Sequence, residues 1–553
     1  MPTYKPTPPL SAEAENVIYA RYLKNDEVFW ADVVDRMCTH MHIYDQETWA
    51  MLYYRYMLPN TPTIVNSGRT DAGLSACYVI GMKDDITDIY RAKYHVAQIA
   101  RAGGGVGISL SQLRPYGSPV KSSSHERAAG PVGFARTISV DAEVLTQGGS
   151  LRPMALMFVL HVSHPDIRKF ITAKSVDGVI SNANISVMVD DTFMQAVVED
   201  STYDLIFNGK VYETVRAREL FDLIAEHTHS NGEPGMLFED KINSSTPYRY
   251  DGRFIEATNP CGEIPAPENA VCNLASINLS AFVTEDGNVD GALLSDAVVR
   301  TVRFLDNVIT YNQYPTQEIR DFVDRYRPIG LGVMGVADML IKMGVRYGSQ
   351  QSLDILHDVM AVISSVAEET SIHLGEELGV PEGCQNLPRP RRNITVLSVA
   401  PTGSISIIAG CSSGCEPHFS PTVYRTNGTG SYKAEHPMAN DPAFVSALND
   451  DPNRVVSVGE HLAVLSQVQQ YVDSGVSKTI NMPSAATVED VYKALMFAWH
   501  DPFIKGVAIY RDGSRSGQVL SDKPKCPECG ADVFTDGGCE TCPSCGWGKC
   551  SIA

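Results

Sequence analysis

An α/β fold is predicted by three features of the chain. Residues 154–162 form a continuous apolar run of strand length, as expected of a strand buried on both faces. Residues 352–374 place Leu356, Met360, Ile363 and Ala367 on one face of a long amphipathic helix. Residues 393–400 are rich in β-branched side chains and run into Pro401-Thr402-Gly403-Ser404, the pattern of a strand ending in a turn. Strand and helix patterns alternate over roughly 450 residues, and in such bodies ligands usually sit beyond the carboxyl ends of strands.

The elements follow in order. Residues 1–58 read as a helical entry segment, with Ala20, Tyr22 and Leu23 on a mixed face and Val33, Val34 and Met37 at helical spacing. From residue 59 to 119 the Gly, Pro and Ser content rises around short apolar runs, including Ala102-Gly103-Gly104-Gly105-Val106-Gly107, which predicts loops and short strands. A second loop-rich stretch, 146–153, precedes the apolar run. The α/β body is expected to span 59–520. Beyond Arg515 the composition changes, setting off a tail at 521–553 that carries six of the thirteen cysteines.

Composition narrows the function classes. A hydrophobic content of 44% suits a large globular body, and a formal net charge of -20 argues against a sequence-independent grip on duplex nucleic acid. No run of about 18 apolar residues is present, and Met1 is followed by a Pro-rich polar start, so a soluble, cytoplasmic protein without a membrane anchor is expected. Cysteines in a long intracellular chain point to metal or redox chemistry rather than a disulfide scaffold.

The most informative segment is Asn259-Pro260-Cys261-Gly262-Glu263, followed at Cys272 by Cys-Asn-Leu-Ala-Ser-Ile-Asn-Leu. Alone, Cys261 also suits a buried loop cysteine. In an extended loop, however, residues i, i+2 and i+4 share a face, so an amide, a thiol and a carboxylate would meet in one small volume with a hydrogen-bond donor, a sulfur centre and a general base. His161 and His164 are spaced as a metal pair, but beside an apolar strand and Pro165 they read as structural.

With this pentapeptide, the stretches Leu74-Ser75-Ala76-Cys77, His164-Pro165-Asp166-Ile167, Gly232-Glu233-Pro234-Gly235, Ile329-Gly330-Leu331-Gly332 and Ala400-Pro401-Thr402-Gly403-Ser404 make the chain closely resemble the ribonucleotide reductase family over nearly its whole length. The resemblance implies a ten-stranded α/β barrel with a finger loop through its centre and Cys261 at the tip. It implies that Cys261 carries a transient thiyl radical, that Glu263 takes the 3'-hydroxyl proton and that Asn259 holds the substrate hydroxyls. Cys77 and Cys272 match the family's reducing thiols, which requires their Cα atoms to lie within about 7 Å. The turn at Thr402, Gly403, Ser404, Ile405 and Ser406 resembles the substrate phosphate loop, with backbone near Ala76 and Gly105 completing the pocket. Its hydroxyls and N–H groups suit phosphate, although an ordinary strand-to-helix turn has the same residues.

The glycine run at 103–107 lacks the Gly-Lys-Ser/Thr of a P-loop. Through the resemblance, Asp84 and Arg114 are implied to contact an allosteric deoxynucleotide or ATP, and Arg152, in the loop 148–153, to contact its base. That loop departs from the family pattern by one extra residue and by Pro153. The family's adjacent tyrosine pair is missing from Gly506-Val507-Ala508-Ile509-Tyr510-Arg511-Asp512-Gly513-Ser514-Arg515, whose wording resembles the adenosylcobalamin-dependent class. The alternative is a radical supplied by a separate metal-containing subunit. A reading of another class, a non-catalytic nucleotide-sensing zinc-ribbon protein, gives no reason to keep Cys77, Cys261, Cys272 and Glu263 together. The resemblance further implies a ribonucleoside di- or triphosphate substrate, a thioredoxin- or glutaredoxin-like reductant and a homodimer. The N-terminal start, close to the body, leads us to expect no regulatory cone and no dATP shut-off through one.

In the tail, Cys526-x-x-Cys529 and Cys542-x-x-Cys545 have the spacing of a four-thiolate zinc site, with Cys539 close by. Cys545 and Cys550 also match the family's mobile dithiol, which must stay free to attack a disulfide. One sulfur cannot serve both roles at once, so the ligand set stays open.

Overall fold

A computed structural model describes residues 3–24, 26–69, 72–120, 123–145, 154–175, 180, 182–427, 430–514, 520–521, 534–536, 539–541 and 548–550. The chain enters through three helices, α1 (Ala12–Arg21), α2 (Trp30–His40) and α3 (Gln46–Tyr53), as the periodicity predicts. Ser11 and Asp45 cap α1 and α3, accepting backbone N–H groups that have no partner within the helix.

The large sheet contains β1 (Met57–Pro59), β2 (Cys77–Ile80), β3 (Gly105–Ser109), β4 (Leu156–His161), β5 (Ala183–Val189), β6 (Gly235–Phe238), β7 (Ala270–Asn278), β8 (Ile329–Met334), β9 (Thr479–Met482) and β10 (Gly506–Arg511). Its order is β1-β7-β2-β3-β4-β5-β6-β10-β9, with β8 paired to β7. Strands β2 to β6 are mutually parallel, β7 runs antiparallel to β2, and β10 runs antiparallel to β6. β1 crosses the boundary expected at residue 58 and pairs with β7, so the entry helices lead directly into the sheet.

The apolar run at 154–162 is uniform because β4 packs on both sides. Leu156, Phe158 and Leu160 join a core shared with the helices, whereas Met157 and Val159 face a second cluster with Ile255, Ala257, Ile264, Cys77 and Cys272. The segment around Asn259 therefore lies against the sheet face opposite the helices. Gly107 on β3 permits this approach. A Cβ there would stand 1.7 Å from the Thr258 carbonyl oxygen, and no flexible side chain can give way.

Two expectations need correction. Within 59–119, residues expected to form loops and short strands include α4 (Ile86–Ala102), capped by Asp85 and closed by Gly103 at φ 96°. Its buried residues Ile89, Ala92, Val96 and Ile99 follow helical spacing, while exposed Tyr90 and Tyr94 blur the pattern. Residues 393–400 form no continuous strand. They are held by isolated bridges, Leu331 to Leu397 and Val399 to Val476, because side chains take part of the ladder. Asp473 accepts the N–H groups of Val396 and Leu397 at 2.9 Å each, and buried Asp306 accepts Arg327 Nε at 2.9 Å and Asn393 Nδ2 at 3.0 Å.

Of the further helices, α5 (Gly291–Tyr311) packs on β7 and β8, α7 (Gln350–Leu378) packs on α5, and α6 (Val336–Lys342) follows β8 and packs on the turn at Leu279–Phe282. α7 buries the predicted stripe, Leu356, Met360, Ile363 and Ala367, and also Leu374. α8 (Ile405–Ala409) opens directly after the turn at 401–404. Among the described residues no helix is long and apolar enough to cross a membrane.

Candidate active site

Cys77 and Cys272, far apart in sequence, are direct cross-strand partners in the antiparallel β2–β7 pair. Opposed residues in such a pair have Cα atoms about 4.5–5.5 Å apart, within the range a disulfide bridges. Both thiols are buried. Burial, then the nearby Glu263 carboxylate, pushes each well above the ordinary thiol range, so both hold their protons at neutral pH.

The pentapeptide reaches this pair by a different geometry from the extended one expected. Gly262 N–H donates to the Asn259 carbonyl at 3.1 Å, and Gly262 adopts φ 86°, which glycine tolerates without strain. The resulting turn leaves Cys261 exposed at its tip and returns Glu263 to the buried side beside Asn259. Asn259 locks the turn, its Oδ1 accepting the Ile264 N–H at 2.9 Å, while its Nδ2 donates to Cys77 Sγ at 3.1 Å. The Cys77 thiol donates to Glu263 Oε1 at 3.6 Å. Asn259, Glu263, Cys77 and Cys272 are thus brought together, with Cys261 exposed at the tip of the same turn and close enough to Cys77 to act on its thiol.

Glu263 is 1% exposed, and its Oε2 has no hydrogen-bond partner. A buried acceptor in this condition is costly, which makes it a natural receiver for a ligand hydroxyl. Burial raises its carboxyl above the ordinary value, although bonds from Asn259 and Cys77 oppose the shift. Ser398 Oγ donates to the Glu263 carbonyl at 2.9 Å and Gly475 N–H to the same oxygen at 2.8 Å. Neither residue carries a motif that sequence reasoning could single out. Asn184, exposed at the start of β5, donates to the Pro260 carbonyl at 3.0 Å.

The substrate-pocket residues divide into two groups. Gly105 N–H donates to the Ala76 carbonyl at 2.8 Å, and a Cβ on Gly105 would meet the Pro260 ring at 3.1 Å, so both lie beside the turn. Thr402, at φ 56°, accepts the Gly414 N–H at 2.8 Å through Oγ1, and Ser406 Oγ meets Ser413 Oγ at 3.0 Å. Gly403 has open space where a Cβ would be, and Ile405 begins α8. Arg21, at the end of α1, donates to Ser404 Oγ at 3.4 Å, bringing a cation to this turn that the sequence did not flag.

Asp84 and Arg114 come together as a pair, with Arg114 Nε 3.0 and 2.8 Å from the two carboxylate oxygens. Arg152 and its loop, and Cys526, Cys529, Cys542 and Cys545, lie outside the described residues. The backbone of Cys550 pairs opposite Cys539 in a small antiparallel sheet. His161 and His164 do not form a metal pair. His164 Nε2 bonds to the Leu113 carbonyl at 2.8 Å, and His161 Nε2 lies 3.5 Å from Glu239 and 3.6 Å from Asp190.

Comparison with known proteins places the chain in a family. The family described as "Ribonucleotide reductase, barrel domain" matches residues 75–391, 388–451 and 440–510. The chain is 37% identical to a vitamin B12-dependent ribonucleoside-diphosphate reductase of Mycobacterium tuberculosis (strain CDC 1551 / Oshkosh), over 96% of this chain and 83% of that protein. It is 38% identical to a protein of the same description from Thermoplasma acidophilum, over 84% of this chain and 64% of that protein. A ribonucleoside-diphosphate reductase subunit alpha of Chlamydia muridarum is 26% identical, over 75% of this chain and 48% of that protein. The match spans the strands that carry both buried thiols, the turn bearing Cys261 and the turn at 402–406, and the chain belongs to the ribonucleotide reductase family.

Proposed function

We propose that this chain reduces ribonucleotides to 2'-deoxyribonucleotides, with Cys261 as the radical-carrying thiol and adenosylcobalamin as the radical source. The observation that carries the reading is the buried, unpartnered Glu263 Oε2 beside two opposed thiols and next to an exposed third. The vitamin B12-dependent names of the relatives support the cofactor, and their diphosphate wording favours a nucleoside diphosphate substrate.

The surroundings of Cys261 suit such a cofactor. The thiol is exposed, Gly262 has nothing within 4 Å of a Cβ position, and Gly262 and exposed Asn184 offer a small, uncharged surface beside it to hold a flat ring. When bound, the cofactor supplies a one-electron route for removing the hydrogen atom of the Cys261 thiol through homolysis of its cobalt–carbon bond.

The residues then act in sequence. The Cys261 thiyl takes the 3'-hydrogen atom of the ribose, and Glu263 accepts the 3'-hydroxyl proton through Oε2. Protonated Cys77 and Cys272 supply the two hydrogens and two electrons that replace the 2'-hydroxyl. Water leaves, a Cys77–Cys272 disulfide forms, Glu263 returns its proton to the 3' oxygen, and Cys261 returns its hydrogen to the 3' carbon. Asn259 holds the turn and orients the hydroxyls. Thr402, Gly403, Ser404, Ile405 and Ser406, with Arg21, hold the phosphates, while Ala76 and Gly105 line the ribose.

The finer architecture belongs to the same proposal. The large sheet closes into a ten-stranded barrel around the turn at 259–263, with residues 395–399 bridging β8 to the segment before β9. Support comes from the Leu331–Leu397 and Val399–Val476 bridges and from the buried cluster that joins residues 255–266 to the inner sheet face. Asp84, Arg114 and Arg152 form an effector site. The 521–553 tail holds zinc or re-reduces the disulfide through Cys545 and Cys550, drawing electrons from a thioredoxin-like protein, and the chain acts as a homodimer in the cytoplasm.

The experiment is disulfide mapping after turnover without external reductant, in the chain with Cys545 and Cys550 replaced by Ser so that the tail cannot re-reduce the active-site pair. About one deoxynucleotide per active site should form, with a Cys77–Cys272 linked peptide in the digest. Product with both thiols still alkylatable would refute this assignment.

A further inference from the structure

Away from the candidate active site, one polar cluster takes no part in the proposed reaction. Asp338 on α6 is 3% exposed, and its Oδ1 lies 3.4 Å from His418 Nε2 and 3.4 Å from His436 Nε2. The three ligand atoms all fall within 4.8 Å of one another. A charged imidazole donating to a carboxylate closes to about 2.7–2.9 Å, whereas both of these stand back. Separations of about 3.4 Å are the edges of a tetrahedron whose centre binds each atom at about 2.0–2.2 Å. His418 Nε2 is also buried and has no hydrogen-bond partner.

We propose that Asp338, His418 and His436 bind a divalent d-block cation, best fitted by zinc, through Asp338 Oδ1 and the two Nε2 atoms. Two imidazoles and one carboxylate select such an ion over magnesium or calcium, and three protein ligands leave one position for water. The carboxylate is oriented for the task, because its Oδ2 accepts the Ser412 N–H at 2.5 Å. Phe444 is fully buried and stacks on His418 at 5.3 Å and 11°, with His436 at the same centroid distance, so that it forms an apolar wall on one side of the cluster. Coordination places the neutral His436 proton on Nδ1, so the contact from Met438 N–H at 3.2 Å must open.

The cation would join three separate segments, α6, the loop carrying His418 and residue 436. That loop follows the turn at 402–406 and is tied to it through Gly414 and Ser413, so the ion would brace the turn. This consequence rests on the phosphate reading of the turn, whereas the metal site itself does not.

The test uses full-length chain in which Cys526, Cys529, Cys539, Cys542, Cys545 and Cys550 are all replaced by Ser, so that tail thiolates cannot contribute. After chelator treatment it is titrated with Co(II). Uptake of about one equivalent is expected, with visible ligand-field bands of N/O coordination and no sulfur charge-transfer band. His436→Gln and His418→Gln, each confirmed folded by circular dichroism, should lose that equivalent, and Zn(II) should displace Co(II). Co(II) titration of the unsubstituted chain gives a second reading, in which the same N/O bands should appear. Absence of these bands from both proteins, or their retention in the two histidine variants, overturns the site. The readout is independent of turnover, so an inactive reductase would leave the result interpretable.

Discussion

Replacing Cys261 by Ser should lower deoxynucleotide formation by about 10^4-fold or more, the scale of loss when the residue bearing the reacting atom is removed. A hydroxyl of nearly the same size fits the exposed tip, and the turn depends on Asn259 and Gly262 rather than on the thiol. Folding and nucleotide binding should therefore be retained, and the loss should fall on kcat rather than KM. The check is steady-state turnover alongside equilibrium binding of substrate. A variant keeping a tenth of wild-type kcat would remove Cys261 from the chemistry.

Glu263→Gln should cost roughly 10^2–10^4-fold in kcat, the usual contribution of a positioned general base. Its pH dependence gives a sharper test. Burial raises the Glu263 carboxyl above its ordinary 4.5, and the base must be ionised to accept a proton. Wild-type activity should therefore fall on the acid side at a higher pH than an exposed glutamate would give, and this limb should vanish in the Gln variant. Stability should move the opposite way. A raised folded-state value means that the protonated form stabilises the fold, fully below the ordinary value and progressively less as pH rises through the raised one. The Tm difference, Gln variant minus wild type, should therefore increase with pH across that window. A difference that falls with pH would contradict the burial-driven shift.

The sequence was most informative where chemistry is carried by rare residues in a fixed order. Cys77, Cys261, Cys272 and Glu263 could be named through the family resemblance that Asn-Pro-Cys-Gly-Glu and its companion stretches carry, and the strand at 154–162 could be read because burial on both faces leaves an unbroken apolar run. The pairing of Cys77 with Cys272 could not be read, because register between strands so distant in sequence is set by the whole sheet. The turn at 259–263 was mistaken for an extended loop, although Gly262 supplies the left-handed residue that reverses the chain. Residues 393–400 have strand composition, yet Asp473 takes two of their N–H groups, a substitution that local propensity does not encode. Arg21, Asp338, His418 and His436 carry no spacing signal, because each meets its partners only through tertiary packing.

The central claim is that this chain makes deoxynucleotides from a radical on Cys261 with cobalamin as its source. The most direct measurement is turnover of the four ribonucleotides by the purified chain with a dithiol reductant and effectors, with and without adenosylcobalamin. Deoxynucleotide should form only when the cofactor is present and should be lost in Cys261→Ser. No product with the cofactor, and product restored by a metal-loaded partner subunit, would contradict the radical source; no product under either condition would contradict the reaction itself.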